Sequence, residues 1–252
     1  MIPWIYKLNI ISVVIQSLLT ICISIWLGTG WHTKSVIPLK ITTSPETNYN
    51  VPPTTLVCLL LVFTVITGMF HTMYLTNTAN YYEQIQTGQN SLRWVEYSLT
   101  ATIMLFIIAM TSGVTAFETH VFILMSSLVC MVCGFIAEQS STSIAWVATI
   151  LGWFVLLVAY TIILITFKNN ASNAPSFVYA IVIGMFMMYM SFGIIHLIHL
   201  YQRTASNSIN HVAYEGAYTI DSLISKTLLV ILLFSGLVIE NPPSPKKKNE
   251  TL

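Results

Sequence analysis

Seven membrane-length, mostly apolar stretches divide this chain, at roughly 6–30, 53–77, 90–114, 117–138, 142–167, 175–201 and 214–239. A hydrocarbon core about 30 Å thick is crossed by about 20 helical residues. Inside it every backbone N–H and C=O must be paired within the protein, which makes the helix the spanning element for runs of this length. The expected fold is therefore all-α, a single seven-helix transmembrane bundle. Composition agrees, with 55 % hydrophobic and 8 % charged residues, against about 25 % charged in soluble domains. A formal net charge of +1 gives no ground for a nucleic-acid or acidic partner; the partner that composition demands is the lipid bilayer. The first stretch begins beside Lys7, is too long for a signal-peptide core and lacks a small-residue cleavage site, so it reads as a retained helix.

Breaks fall at Gly28 and Gly30, at Pro52 and Pro53, at the polar segment Thr76 to Asn90, at Lys168 to Pro175 and at Gln202 to Asn210. The third and fourth stretches part only around Thr111 to Thr115. The organisation expected is one domain over 1–240, with a long extramembrane loop at 31–53 and a flexible tail at 241–252 that is rich in Pro and Lys. Cys22, Cys58, Cys130 and Cys133 all lie in apolar runs, where small inert packing residues are expected rather than disulfides or metal ligands. Seven spans put the termini on opposite sides. Lys34, Lys40, Lys168 and Lys246 to Lys248 share the C-terminal side, and the positive-inside rule would make that side cytoplasmic. The sequons Asn170-Ala171-Ser172 and Asn249-Glu250-Thr251 lie on the same side and suit an outward face.

Lys226 is the only lysine flanked on both sides by a membrane-length apolar stretch, Ala217 to Ile239. A lysine at the bilayer centre costs about 2.5–3.5 kcal/mol on insertion scales, so such a residue marks a functional site by default. A desolvated amine can also condense with an aldehyde to a Schiff base. A cation there needs a carboxylate partner, and the candidates are Glu96, Glu118, Asp221, Glu138 and Glu215. Glu96 and Thr100 share a helix face, as a carboxylate held by a hydroxyl would require; an Arg93–Glu96 pair at a membrane edge has helical spacing too. Ser222 lies one turn before Lys226 on the same face, whereas Asp221 is about 140° round the helix from it. Glu118 and His120 suit an interface, with snorkelling side chains. His196 and His199 have a metal-compatible i, i+3 spacing but no acidic or thiol ligand beside them, so they read as polar lining or packing. His71 is a lone membrane histidine, open to a proton-handling role or to that of a bonded core residue.

Arg93-Trp94-Val95-Glu96-Tyr97-Ser98-Leu99, Pro175-Ser176-Phe177-Val178-Tyr179, Ser222-Leu223-Ile224-Ser225-Lys226 and Phe234-Ser235-Gly236 resemble the heliorhodopsins, seven-helix retinal proteins, over nearly the whole chain. The resemblance implies all-trans retinal bound covalently at Lys226, Glu96 as sole counterion, and Ser222 hydrogen-bonding near the Schiff base. It also implies a homodimer with inverted topology, the N-terminus cytoplasmic and the C-terminus outside, and the loop from Trp31 to Pro53 outside. His71 falls on a polar-pocket histidine of the family. Val13 stands where a second is expected, His196 where a glutamine is usual and Asp221 where an apolar residue is usual. Light-driven pumps usually carry an aspartate one turn before the lysine, where this chain has Ser222. Tyr97, Trp153, Tyr189 and Phe192 are candidates for an aromatic chromophore wall, or for bundle packing. His71, Arg93, His196 and Asp221 are candidates for polar-network and proton handling.

Four functions are weighed against these residues, in the following order. The first is a photoreceptor with a protonated Schiff base, one carboxylate counterion and an unknown signalling partner. The second is a light-driven or light-gated proton transporter, motivated by Glu118, His120, His196, His199 and Asp221. A receptor for a diffusible ligand leaves Lys226 and Glu96 without a role. An enzyme is not expected, because no second catalytic constellation accompanies Lys226.

Overall fold

The computed structural model describes residues 3–29, 39–43, 47–170, 174–205 and 209–239. Lys34, Lys246 to Lys248, the tail 241–252, the second sequon and all but Asn170 of the first lie outside them. Along the chain run α1 (Pro3–Thr29), β1 (Lys40–Thr43), β2 (Thr47–Asn50), α2 (Thr54–Thr76), α3 (Thr78–Gln86), α4 (Ser91–Thr111), α5 (Phe117–Gln139), α6 (Thr142–Asn170), α7 (Ser176–Ala205) and α8 (His211–Ile239). All helices but α3 are long and apolar enough to cross a membrane. The chain is an integral membrane protein built as an all-α seven-helix bundle.

The seven spans begin and end close to where the apolar runs predict. The boundary between the third and fourth spans is sharper than the sequence suggests. Ser112 caps α4, and Gly113 follows at φ +87°, a left-handed conformation that favours glycine. Two elements were not expected. The polar segment after α2 is not all loop: Tyr81 and Ile85, one turn apart on α3, bury against Ile5 and Tyr74. The loop after α1 contains a hairpin, β1 antiparallel to β2 with Lys40 opposite Asn50, and Thr42 N–H donates to Thr115 O at 2.8 Å. Both segments are too polar on average to stand out by hydropathy.

The core lies between α2, α4, α7 and α8, where Leu60, Phe63, Leu105, Ile108, Ile181, Met185, Leu229 and Leu233 are fully buried. Apolar burial inside lipid does not itself drive association, so close packing and interhelical hydrogen bonds matter, the latter worth about 0.6 kcal/mol each on average. Such ties join Thr20 to Thr64 at 2.9 Å, Thr102 to Ser127 at 3.1 Å, the Tyr160 hydroxyl to Val182 O at 3.0 Å and the Tyr189 hydroxyl to Ala101 O at 2.9 Å. Ile25, Met125, Val147 and Phe154 are exposed on the outside, as lipid-facing side chains should be.

Candidate functional site

α8 carries Lys226 into the middle of the bundle, where its ammonium donates to Glu96 Oε1 on α4. The two residues are only 3 % and 1 % exposed. This pairing is the central feature of the site, because a buried charge persists only with a close, hydrogen-bonded partner. The Tyr97 ring faces the same ammonium, with its centroid 5.1 Å from Nζ. Tyr74 O–H approaches Glu96 Oε2 at 3.5 Å, a long contact. Thr100 does not hold the carboxylate: its hydroxyl bonds back to the Glu96 carbonyl at 3.0 Å, as threonines inside helices commonly do.

A cavity opens beside Lys226, walled by Tyr97, Thr100, Met104, Met131, Tyr189, Phe192 and, from α8, Asp221, Ser222 and Ser225. A second cavity shares Met131, Tyr189 and Phe192 with it and continues to Trp94, Trp153 and His196. Trp153 therefore belongs to the remote part of the site and not to the wall around the lysine. Gly134 and Gly193 make room for these indoles: a Cβ on either would overlap the ring of Trp94 or Trp153 respectively. Ser222 faces the cavity on the lysine side, and its buried hydroxyl has no hydrogen-bond partner of good geometry. Asp221 also lines this cavity but accepts from the Ser191 hydroxyl at 2.5 Å and does not pair with Lys226.

Arg93 does not pair with Glu96. Its guanidinium leaves α4 sideways, to Glu138 on α5 at 2.6 Å and to Glu215 on α8, and lies 4.2 Å from the Tyr218 ring centroid. Trp94 Nε1 and the Asn90 backbone N–H also donate to Glu138. Glu215 receives Asn90 Nδ2 at 2.8 Å and the Tyr81 hydroxyl at 3.2 Å. Burial, reinforced by the Glu215 charge, pushes the Tyr81 phenol above its ordinary range. The sequence placed Glu138 and Glu215 only as carboxylates near span ends, since nothing in their spacing points at Arg93.

His71 is a bonded buried histidine, its Nδ1 2.7 Å from Asn9 Oδ1 on α1. Asn9 was missed by the sequence reading, although an amide in an apolar helix was the available signal. The Val13 position is one turn further along α1. The His120 side chain does not snorkel: it is 2 % exposed, packs on Phe106 and bonds Val114 O at 3.0 Å, while Glu118 is exposed. His196 and His199 have separate partners, Thr149 and Tyr218 for the first and His211 for the second. Among the described residues no group of three His, Cys, Asp or Glu side chains has metal-site geometry.

Fold and site together define a seven-helix membrane protein of the rhodopsin class, with a buried lysine–carboxylate pair whose lysine lines an internal cavity. The chain is similar to the crystal structure of Exiguobacterium sibiricum rhodopsin, with a TM-score of 0.72 and 10 % identity over 96 % of this chain and 99 % of that one. It is also similar to thermophilic rhodopsin (TM-score 0.64, 12 % identity, 94 % of each chain). A third similar structure is the transmembrane domain of Salpingoeca rosetta rhodopsin phosphodiesterase (TM-score 0.70, 9 % identity, 94 % of this chain and 85 % of that one). Identities this low speak for the fold alone. No curated protein sequence matches the chain. A family model described as heliorhodopsin matches residues 5–238, so the chain belongs to the heliorhodopsin family. It is a membrane protein of the retinal-binding, light-responsive kind.

Proposed function

We propose that this heliorhodopsin is a photoreceptor in which Lys226 Nζ carries all-trans retinal as a protonated Schiff base and Glu96 is its single counterion. The observation that carries the reading is the buried Lys226–Glu96 pair, whose lysine lines the cavity. The residues suit the group. The amine is the buried lysine of the cavity, the Ser222 hydroxyl beside it has no hydrogen-bond partner of good geometry, and aromatic and methionine side chains form the walls through both cavities. When bound, retinal supplies a polyene that absorbs visible light and isomerises. Glu96 holds the proton on the lysine nitrogen in the dark and can receive it after light. Tyr97, Tyr189 and Phe192 restrict the space in which a bound polyene can turn.

Purified protein given retinal should absorb in the visible and bleach with hydroxylamine in light. Lys226→Ala should abolish the band, and a retained band would sink the attachment. The family also supports a homodimer with the N-terminus cytoplasmic and the C-terminus outside, against the lysine distribution. Protease access to the C-terminal lysines only from the cytoplasmic side of intact membranes would overturn that orientation. The second reading, a light-driven or light-gated proton transporter, is favoured by one specific feature: Asp221 puts another carboxyl in the same cavity as Lys226. Nothing in the site motivates an enzymatic reading.

A further inference from the structure

The end of the cavity remote from Lys226 is bordered by a histidine that the photoreceptor reading leaves unused. His196 on α7 lines it with Trp94, Thr149 and Trp153, its ring edge-on to Trp94 at 5.7 Å. Nε2 lies 3.1 Å from the Thr149 hydroxyl and Nδ1 3.2 Å from the Tyr218 hydroxyl. Hydroxyls donate or accept as required. Both contacts can therefore persist whether the ring is neutral, with one nitrogen donating, or cationic, with both donating. The two hydrogen bonds of His196 are thus compatible with either charge state.

Polar groups lead from His196 to the end of the bundle. A small void bounded by Glu138, His196, His199 and Arg203 has room for about one water molecule. Beyond it His199 Nε2 is 3.0 Å from His211 Nδ1, with the His199 ring stacked on Tyr214 at 4.5 Å. His211 is the first residue of α8 and half-buried. It sits against Gly88, whose φ of +79° favours glycine and where a Cβ would collide with the imidazole. The path thus begins at a water-accessible helix end and finishes at the chromophore cavity.

The charges around His196 come from every helix packed on it. α4 contributes Arg93, α5 Glu138, α6 only the Thr149 hydroxyl, α7 itself His199 and Arg203, and α8 Tyr218, Glu215 and His211. Arg93 is held by Glu138 and Glu215, while Arg203 caps the carbonyls of Ala137, Glu138 and Ser140. The two arginines balance the two glutamates, so a proton on His196 adds a full unit of uncompensated charge at that end of the cavity.

We propose that His196 is a colour-determining residue whose charge is set by protons reaching it from the membrane surface through His211 and His199. The proposal rests on retinal being attached at Lys226. Each imidazole takes a proton on one nitrogen and gives one up from the other. A proton entering at His211 therefore passes from its Nδ1 to His199 Nε2, and one leaves His199 to the water in the void and reaches His196 across it, since both rings border that void. A polyene cation fixed at Lys226 has its charge near the nitrogen in the dark and moves it away on excitation. A second cation at the remote end opposes that movement and raises the excitation energy. Acidification should therefore shift the band to shorter wavelength. Protonating Glu96 removes a counterion and does the opposite, so the sign separates the two groups.

The test pairs an absorbance titration with one that needs no chromophore. The retinal-loaded wild type should shift to shorter wavelength on acidification, and His196→Gln, measured against its own neutral-pH band, should lose that shift. In protein never given retinal, 15N-histidine resonances should include one that titrates and is missing in His196→Gln. After a pH jump, His211→Gln should reach the same final spectrum more slowly than wild type. A shift to shorter wavelength that persists in His196→Gln, or a His196 resonance that does not titrate, overturns the role of His196. An unslowed His211→Gln overturns the path. If wild type forms no visible band, retinal attachment fails instead, and the resonance titration still decides whether protons reach His196.

Discussion

At the scale of single residues, the site is decided by which carboxylate meets Lys226. Glu96 meets it and Asp221 does not, although Asp221 lines the same cavity as Lys226. An amide in place of Glu96 leaves the attached cation without a compensating charge, so the proton should leave or an anion from solution should take the carboxylate's place. Glu96→Gln is therefore expected to move the visible band to the near-ultraviolet, or to make it depend on added chloride, with Asp221→Asn changing the colour far less. The reverse pattern in absorbance spectra would assign the counterion to Asp221. Lys226 and Glu96 were legible in the sequence because ionisable residues are scarce in apolar runs. Thr100 was placed on the right face, but its hydroxyl satisfies a backbone carbonyl that helical spacing cannot reveal. Asn9 escaped notice because its importance comes from His71, 62 positions away.

At the scale of elements, Arg93 is the tie between helices. From α4 it engages Glu138 on α5 and Glu215 on α8, and it is 4 % exposed. Removing one partner of a buried ion pair strands the others, at a cost of about 3–5 kcal/mol. Arg93→Gln should lower the thermal stability of the purified protein and release retinal at lower temperature. Arg93→Lys should recover only part of the loss, since an ammonium cannot span two carboxylates as the guanidinium fork does. An Arg93→Gln protein as stable as wild type would show that the cluster does not hold the helices. The seven spans could be read from hydropathy because lipid imposes one solution on any apolar run of that length. The Arg93 cluster could not, because spacing within α4 points Arg93 at Glu96, and only the packing of α5 and α8 offers it two better acceptors. The same limit hid α3 and the hairpin, whose order comes from neighbours and not from an apolar pattern of their own.

For the whole molecule, the question is whether proton movement after light is internal or vectorial. Transport needs an acceptor, a donor and a switch of access between opposite faces. Glu96 supplies the acceptor beside Lys226. The turn before the lysine offers the Ser222 hydroxyl instead of a carboxylate, and Val13 puts an apolar side chain one turn from the Asn9–His71 pair. The remaining ionisable groups are largely committed: Arg93 to Glu138 and Glu215, His199 to His211, and Asp221 to Ser191. The histidine path leads towards the end of the bundle where α8 begins, the same end as the Arg93 cluster, so it offers access from one face and no through-route. A proton released to Glu96 would accordingly return to the lysine nitrogen, and net transfer should be near zero. Illuminated cells or planar membranes containing the protein should show a brief charge displacement without steady current. A sustained, voltage-dependent light current that disappears in Glu96→Gln would make the protein a transporter, with Asp221 the first group to examine as its second proton site.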